Sequence, residues 1–130
     1  DKLELGNMDS YRDWGHSYDY VRAMHLMLQH HSPGDWVVAT GESRSVREMC
    51  DYVFGRLGLN YKDYVVQNPK YMRPEELPYL KGDSTKIRTE LGWKPKYSFE
   101  EMMDEMSDHW IKIYQPQSKI TEVDPYLQTR

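Results

Sequence analysis

A serine three residues ahead of a glutamate, in Ser45-Val46-Arg47-Glu48, heads the cleanest helical stripe in the chain and constrains its fold more than any other feature. In such a capping box the two side chains satisfy each other's free backbone amides, which fixes where the helix begins. Val46, Met49, Cys50, Val53, Phe54 and Leu57 follow at helical spacing, and Gly58 supplies the left-handed residue that stops a helix. Cys50 falls on the core face, where it reads as a small buried hydrophobe rather than a nucleophile. Ser98 and Glu101 repeat the signature ahead of Phe99, Met102, Met103, Met106, Trp110 and Ile113. That stripe predicts a second capped helix whose Met-rich face is core rather than a peptide groove.

Two further helices are expected. Tyr20, Val21, Met24, Met27 and Leu28 give an amphipathic stripe from about Asp19 to Gln29, closed by the turn His30-His31-Ser32-Pro33-Gly34. Asp83 caps a short helix from about Ser84 to Leu91, ended by Gly92. Asp35 to Thr40 and Tyr64 to Val66 are rich in β-branched residues and predict strands, and Asn68-Pro69 with Arg73-Pro74 enforces an irregular extended segment. The expectation is an α/β chain, locally α+β, of about four helices with short strands. Residues 1–114 form the domain, and 115–130 a polar tail without periodicity, read as an arm or disordered end.

Composition narrows the partners. A formal charge of -4 with nearly balanced acids and bases gives no net basic field for nucleic acid. No apolar run approaches the roughly 20 residues of a membrane helix, and a single cysteine fits a reducing, cytoplasmic setting without a disulfide framework. At 130 residues the chain is small for a complete cofactor-dependent enzyme, which suggests a fragment. The histidines His16, His25, His30, His31 and His109 lack zinc-binding spacing, so no metal is expected. No G-x-G-x-x-G, P-loop or Gly-x-Ser-x-Gly pattern is present, so the usual cradle for NAD(P) is missing.

What remains are two arginine segments, Arg12-Asp13-Trp14-Gly15-His16 and Arg73-Pro74-Glu75-Glu76. A guanidinium offers a rigid fork that matches phosphate oxygens, and a nearby carboxylate can accept from ribose hydroxyls or a purine N–H edge. Spacing alone favours the plainer reading of surface ion pairs, Arg12 with Asp13 or another acid and Arg73 with Glu76, contributing roughly 0 to 1 kcal/mol each.

The stretch from Gly6 to Val21, with Gly6-Asn7-Met8-Asp9 and Arg12-Asp13-Trp14-Gly15-His16, closely resembles a segment of the GDP-mannose 4,6-dehydratases. Ala39-Thr40-Gly41, Ser45-Val46-Arg47-Glu48, Arg73-Pro74-Glu75-Glu76, Gly82-Asp83 and Leu91-Gly92-Trp93-Lys94-Pro95 match in the same order. Ser17, Tyr18, Glu75 and a short connection between Leu59 and Asn68 depart from the family pattern. The resemblance covers about Leu3 to Ile113. It implies the small C-terminal substrate-binding domain of an extended short-chain dehydrogenase/reductase, with the Rossmann half absent. The parent enzyme, a carbon-oxygen lyase using NADP, would convert GDP-mannose to GDP-4-dehydro-6-deoxymannose, towards GDP-fucose or GDP-rhamnose.

Carried over residue by residue, the resemblance gives Arg12 and Arg73 the pyrophosphate, Glu76 the ribose or guanine side, and Asp13 the task of orienting Arg12. It gives this chain no catalytic residue, because the family's Thr/Ser, Glu, Tyr and Lys set lies upstream of the Arg12 segment, and it leaves Arg47 unassigned. The implied partners are GDP-mannose, the missing N-terminal Rossmann domain and further copies of the parent. Two other readings stay open: a standalone nucleotide-sugar-binding or regulatory module without catalysis, and an assembly surface.

Overall fold

The computed structural model describes residues 1–114, so the expected tail 115–130 lies outside the described residues. In chain order the elements are β1 (Leu3–Leu5), β2 (Tyr11–Arg12), α1 (Ser17–Gln29), β3 (Arg44–Ser45), α2 (Val46–Arg56), β4 (Val65–Gln67), α3 (Thr85–Leu91) and α4 (Phe99–Tyr114). Short 3-10 turns lie at Tyr61–Asp63 and Pro69–Tyr71. Four helices with short strands are the mixed α/β architecture expected from the sequence.

Both capping boxes form. The Ser45 hydroxyl accepts from the Glu48 amide at 3.1 Å while the Glu48 carboxylate accepts from the Ser45 amide at 2.6 Å. The next two free amides of α2, on Val46 and Arg47, reach back to the carbonyls of Ser10 and Met8, so the helix start is tied to the loop between β1 and β2. Ser98 and Glu101 close α4 in the same reciprocal way. At α3 the Asp83 carboxylate accepts from the Thr85 amide and hydroxyl, which holds its carboxyl below the usual range, and Gly92 ends the helix in the left-handed region at φ 63°.

Helix α2 is the wall between two cores. Val46, Cys50 and Phe54 face Met8, Tyr61, Val65 and Leu5, and Met49, Tyr52 and Val53 face Phe99, Met102, Met103 and Trp14. Burial pushes the Cys50 thiol pKa up, in keeping with a packing role. A third cluster joins α1 and α3, where Ala23, Ile87 and Trp93 are all but sealed from solvent against Tyr20, Leu26, Met27, Trp36 and Val38.

The structure departs from the sequence reading at four places. Residues 35–40 form no strand, because none of the described strands pairs with them. Strand β1 went unforeseen, and it pairs in parallel with β4, Leu3 opposite Val65. The apolar stripe of α1 also divides: Ala23 and Met27 face the core, whereas Val21, Met24 and Leu28 are 59%, 58% and 83% exposed. The α4 stripe likewise leaves the core after Met103, with Met106 and Trp110 about half exposed. This helix of 16 residues outruns the 11 of α2 that it packs against.

A buried carboxylate ties α1 to the chain ahead of α4. Asp19 is 1% exposed. It accepts from the amides of Lys96 and Tyr97 at 3.0–3.1 Å and from Arg22 at 2.8 Å, while its carbonyl accepts from the Trp93 indole at 2.8 Å. Removing such an acceptor leaves buried donors unpaired. We expect Asp19→Ala to lower unfolding stability by about 3 kcal/mol or more, read from urea denaturation. The open apolar face of α1 leads to a second expectation: the chain self-associates at high concentration, and Val21→Glu with Leu28→Glu abolishes this, as light scattering would report.

Candidate functional site

Strand β2 is only two residues long, yet it carries the site. Tyr11 pairs with Ser45 on one side and bridges to Tyr79 on the other, donating to the Pro78 carbonyl and accepting from the Leu80 amide. The chain just after Arg73-Pro74-Glu75-Glu76 is thereby pinned beside Arg12, across more than sixty residues of sequence. The Arg12 guanidinium donates to the Glu76 carboxylate at 2.9 Å and to the carbonyls of Leu77 and Tyr11 at 2.9 and 2.7 Å.

Leu5, Gly6, Asn7, Ser10, Arg12, Trp14, Val46, Tyr71, Arg73 and Glu76 enclose a cleft of about 360 Å³. The three residues expected to hold a ligand, Arg12, Arg73 and Glu76, therefore share one cavity. Its floor depends on Gly6, because a Cβ there would stand 2.5 Å from the backbone oxygen of Tyr71. Only glycine lets β1 and the 3-10 turn after β4 approach so closely.

Charge in the cleft is uneven. Glu76 and Arg12 neutralise each other as a half-buried pair, with side chains 21% and 26% exposed. Among the described residues Arg73 has no ion-pair partner. The pairing of Arg73 with Glu76 considered from spacing does not form, and Arg12 finds Glu76 rather than Asp13. Three of the five guanidinium N–H groups of Arg12 are engaged within the chain. The others, with all of Arg73, remain for an anion, and the surplus positive charge favours one.

Asp13 does something other than orient Arg12. Its carboxylate accepts from the Thr40 amide and hydroxyl, the Gly41 amide and the Gly82 amide at 2.6–3.3 Å. Two loops are stitched together in this way, and Arg12 is oriented by Glu76 and carbonyls instead. Arg47, unassigned from sequence, forms a two-pronged pair with Asp9 at 2.8 and 3.1 Å and reaches Tyr61 and Gln67. That pair lowers the Asp9 pKa and raises that of Arg47, and it braces α2 against the loop before β2. Trp14 donates its indole N–H to the Arg44 carbonyl and packs against the α4 cluster, and Trp93 is 1% exposed, both consistent with structural roles.

The family model described as GDP-mannose 4,6 dehydratase matches residues 1–106. The chain belongs to the GDP-mannose 4,6-dehydratase family. GDP-mannose 4,6 dehydratase 1 of Arabidopsis thaliana is 50% identical over 112 residues, which is 86% of this chain and 31% of that protein. The human GDP-mannose 4,6 dehydratase is 44% identical over 121 residues, covering 80% of this chain and 32% of its own length. The chain thus spans about a third of the relatives it matches. The fold is shared with a solved structure: RMD from Pseudomonas aeruginosa complexed with NADPH superposes with a TM-score of 0.74 at 23% identity, over 85% of this chain and 36% of that one.

Sequence reasoning missed Asn7, Ser10 and Tyr71 as cleft residues. The resemblance quoted the Gly6-Asn7 stretch but assigned it nothing, and no spacing rule links Tyr71 to β1. For Asp13→Ala we expect a stability loss of about 2 to 3 kcal/mol in denaturant unfolding, with amide shifts concentrated at Thr40, Gly41 and Gly82.

Proposed function

We propose that this chain is the sugar-nucleotide-binding part of a GDP-mannose 4,6-dehydratase, a lyase acting on GDP-mannose in the cytoplasm. The observation that carries the reading is the convergence of Arg12, Arg73 and Glu76 on one cleft with net positive charge. A diphosphate takes charge-assisted hydrogen bonds from Arg73 and from the uncommitted N–H groups of Arg12. Glu76 holds Arg12 through one carboxylate oxygen and presents the other to ribose or guanine donors.

The residues of this chain do not fit a nicotinamide cofactor. No glycine-rich phosphate cradle is present, and the first turns of α2 and α4 are closed by their own capping boxes. NADP and the catalytic groups belong, on this proposal, to an N-terminal Rossmann half of the parent, which would assemble as a homo-oligomer. The open faces of α1 and α4 offer that half an apolar surface to cover, since Val21, Met24, Leu28, Met106 and Trp110 are all large and exposed.

Titration of the folded chain with GDP-mannose, followed by NMR with UDP-glucose as control, tests the reading. We expect GDP-mannose-selective shifts lining the cleft. Arg73→Ala should weaken binding by about 10- to 100-fold, the worth of one or two charged hydrogen bonds, without altering the melting temperature, because Arg73 supports no ion pair among the described residues. Arg12→Ala should weaken binding and also loosen residues 73–80. A folded chain showing no selective shifts would overturn this account of the cleft.

A further inference from the structure

Ser10 carries the one buried side-chain oxygen or nitrogen of the described residues without a hydrogen-bond partner. The residue is 2% exposed and lines the cleft beside Arg12, Arg73 and Glu76. Its surroundings are otherwise satisfied. The Ser10 carbonyl accepts from the Val46 amide, and two residues earlier the Met8 carbonyl accepts from Arg47. Asn7, on the same loop, spends its side-chain oxygen on the Asp9 amide at 2.9 Å. The backbone is thus held at both ends of a short segment, while the hydroxyl between them has nothing to bond.

A buried hydroxyl without a partner costs stability, and alanine at that position would avoid the cost. The hydroxyl also moves at little expense, because a serine side chain turns among its staggered positions without backbone change. We propose that Ser10 is a ligand-binding residue of the cleft, its hydroxyl taking up a hydrogen bond with a polar oxygen of the nucleoside diphosphate sugar. This rests on the reading of the cleft given above and adds to it a specific group. The ligand supplies a partner that the described residues do not, so the new hydrogen bond is made without breaking one within the fold. The geometry around it supports this role: Arg12 is fixed by Glu76 and two carbonyls, and the floor is fixed by the close approach of Gly6 to Tyr71, so the ligand meets a rigid wall in which Ser10 is an adjustable donor.

The test pairs two measurements on the full chain: thermal melting without ligand, and calorimetric titration with GDP-mannose, for the wild type, Ser10→Ala and Arg73→Ala. The expected result moves in opposite directions. Ser10→Ala melts at the same or a higher temperature yet binds GDP-mannose roughly tenfold more weakly, equivalent to about 1.4 kcal/mol. Ser10→Cys, which keeps the size but offers only a weak donor, should fall on the weakened side. Wild-type affinity in Ser10→Ala, with Arg73→Ala impaired, overturns the Ser10 assignment and leaves the cleft standing. Loss of affinity together with a lower melting temperature assigns the hydroxyl to the fold instead, and also overturns it. Absence of binding by the wild type removes the cleft reading and this proposal with it.

Discussion

Carboxylates hold together what sheets usually hold in a fold of this kind. The strands are two or three residues long and lie in two separate pairs, so few ladder bonds cross the molecule. Asp13 and Asp19 take their place, each accepting backbone amides from segments distant in sequence. A carboxylate can accept several donors at once, and hydrogen bonds to an ionised group are about twice as strong as neutral ones. Loops that could not form a ladder are nevertheless fixed. The cleft inherits this order, because the chain between Asp13 and Gly82 includes β3 and the Tyr79 bridge, which flank β2, and the loop that supplies Arg73 and Glu76.

How much of this was legible depended on whether the deciding interaction was local. The capping boxes at Ser45 and Ser98 are local, and both helices begin where the sequence places them. The Asp35 to Thr40 segment has strand composition, but a strand requires a partner, and this segment spends Thr40 and Gly41 on Asp13 instead. Strand β1 fails the opposite way, since its partner lies about sixty residues on. The stripe of α1 misled because both of its faces are apolar, and only the small Ala23 lets one side approach Trp93 and Ile87.

The site followed the same rule. Arg12, Arg73 and Glu76 were singled out by resemblance, and the fold places them together, whereas spacing gave no reason to prefer a shared cleft over separate surface pairs. Asp13, to which the resemblance gave the task of orienting Arg12, spends its acceptors on loops that lie 27 and 69 residues away, a demand that nothing local in the sequence announces. For Ser10 no signal exists in the sequence at all, since an unsatisfied hydroxyl is defined only by what surrounds it.

The position of α2 between two clusters has a mechanical consequence. Each of the three cores is small, and a chain built from separate small cores would ordinarily come apart in stages. Here no stage is available to two of them: opening the cluster around Met8 strips one side of α2, and opening the cluster around Phe99 strips the other, so the helix cannot outlast either. A single helix thereby converts two weak cores into one cooperative unit, and the loop bearing Ser10 and Arg12, anchored to the first turn of that helix, keeps its shape for as long as the unit is intact.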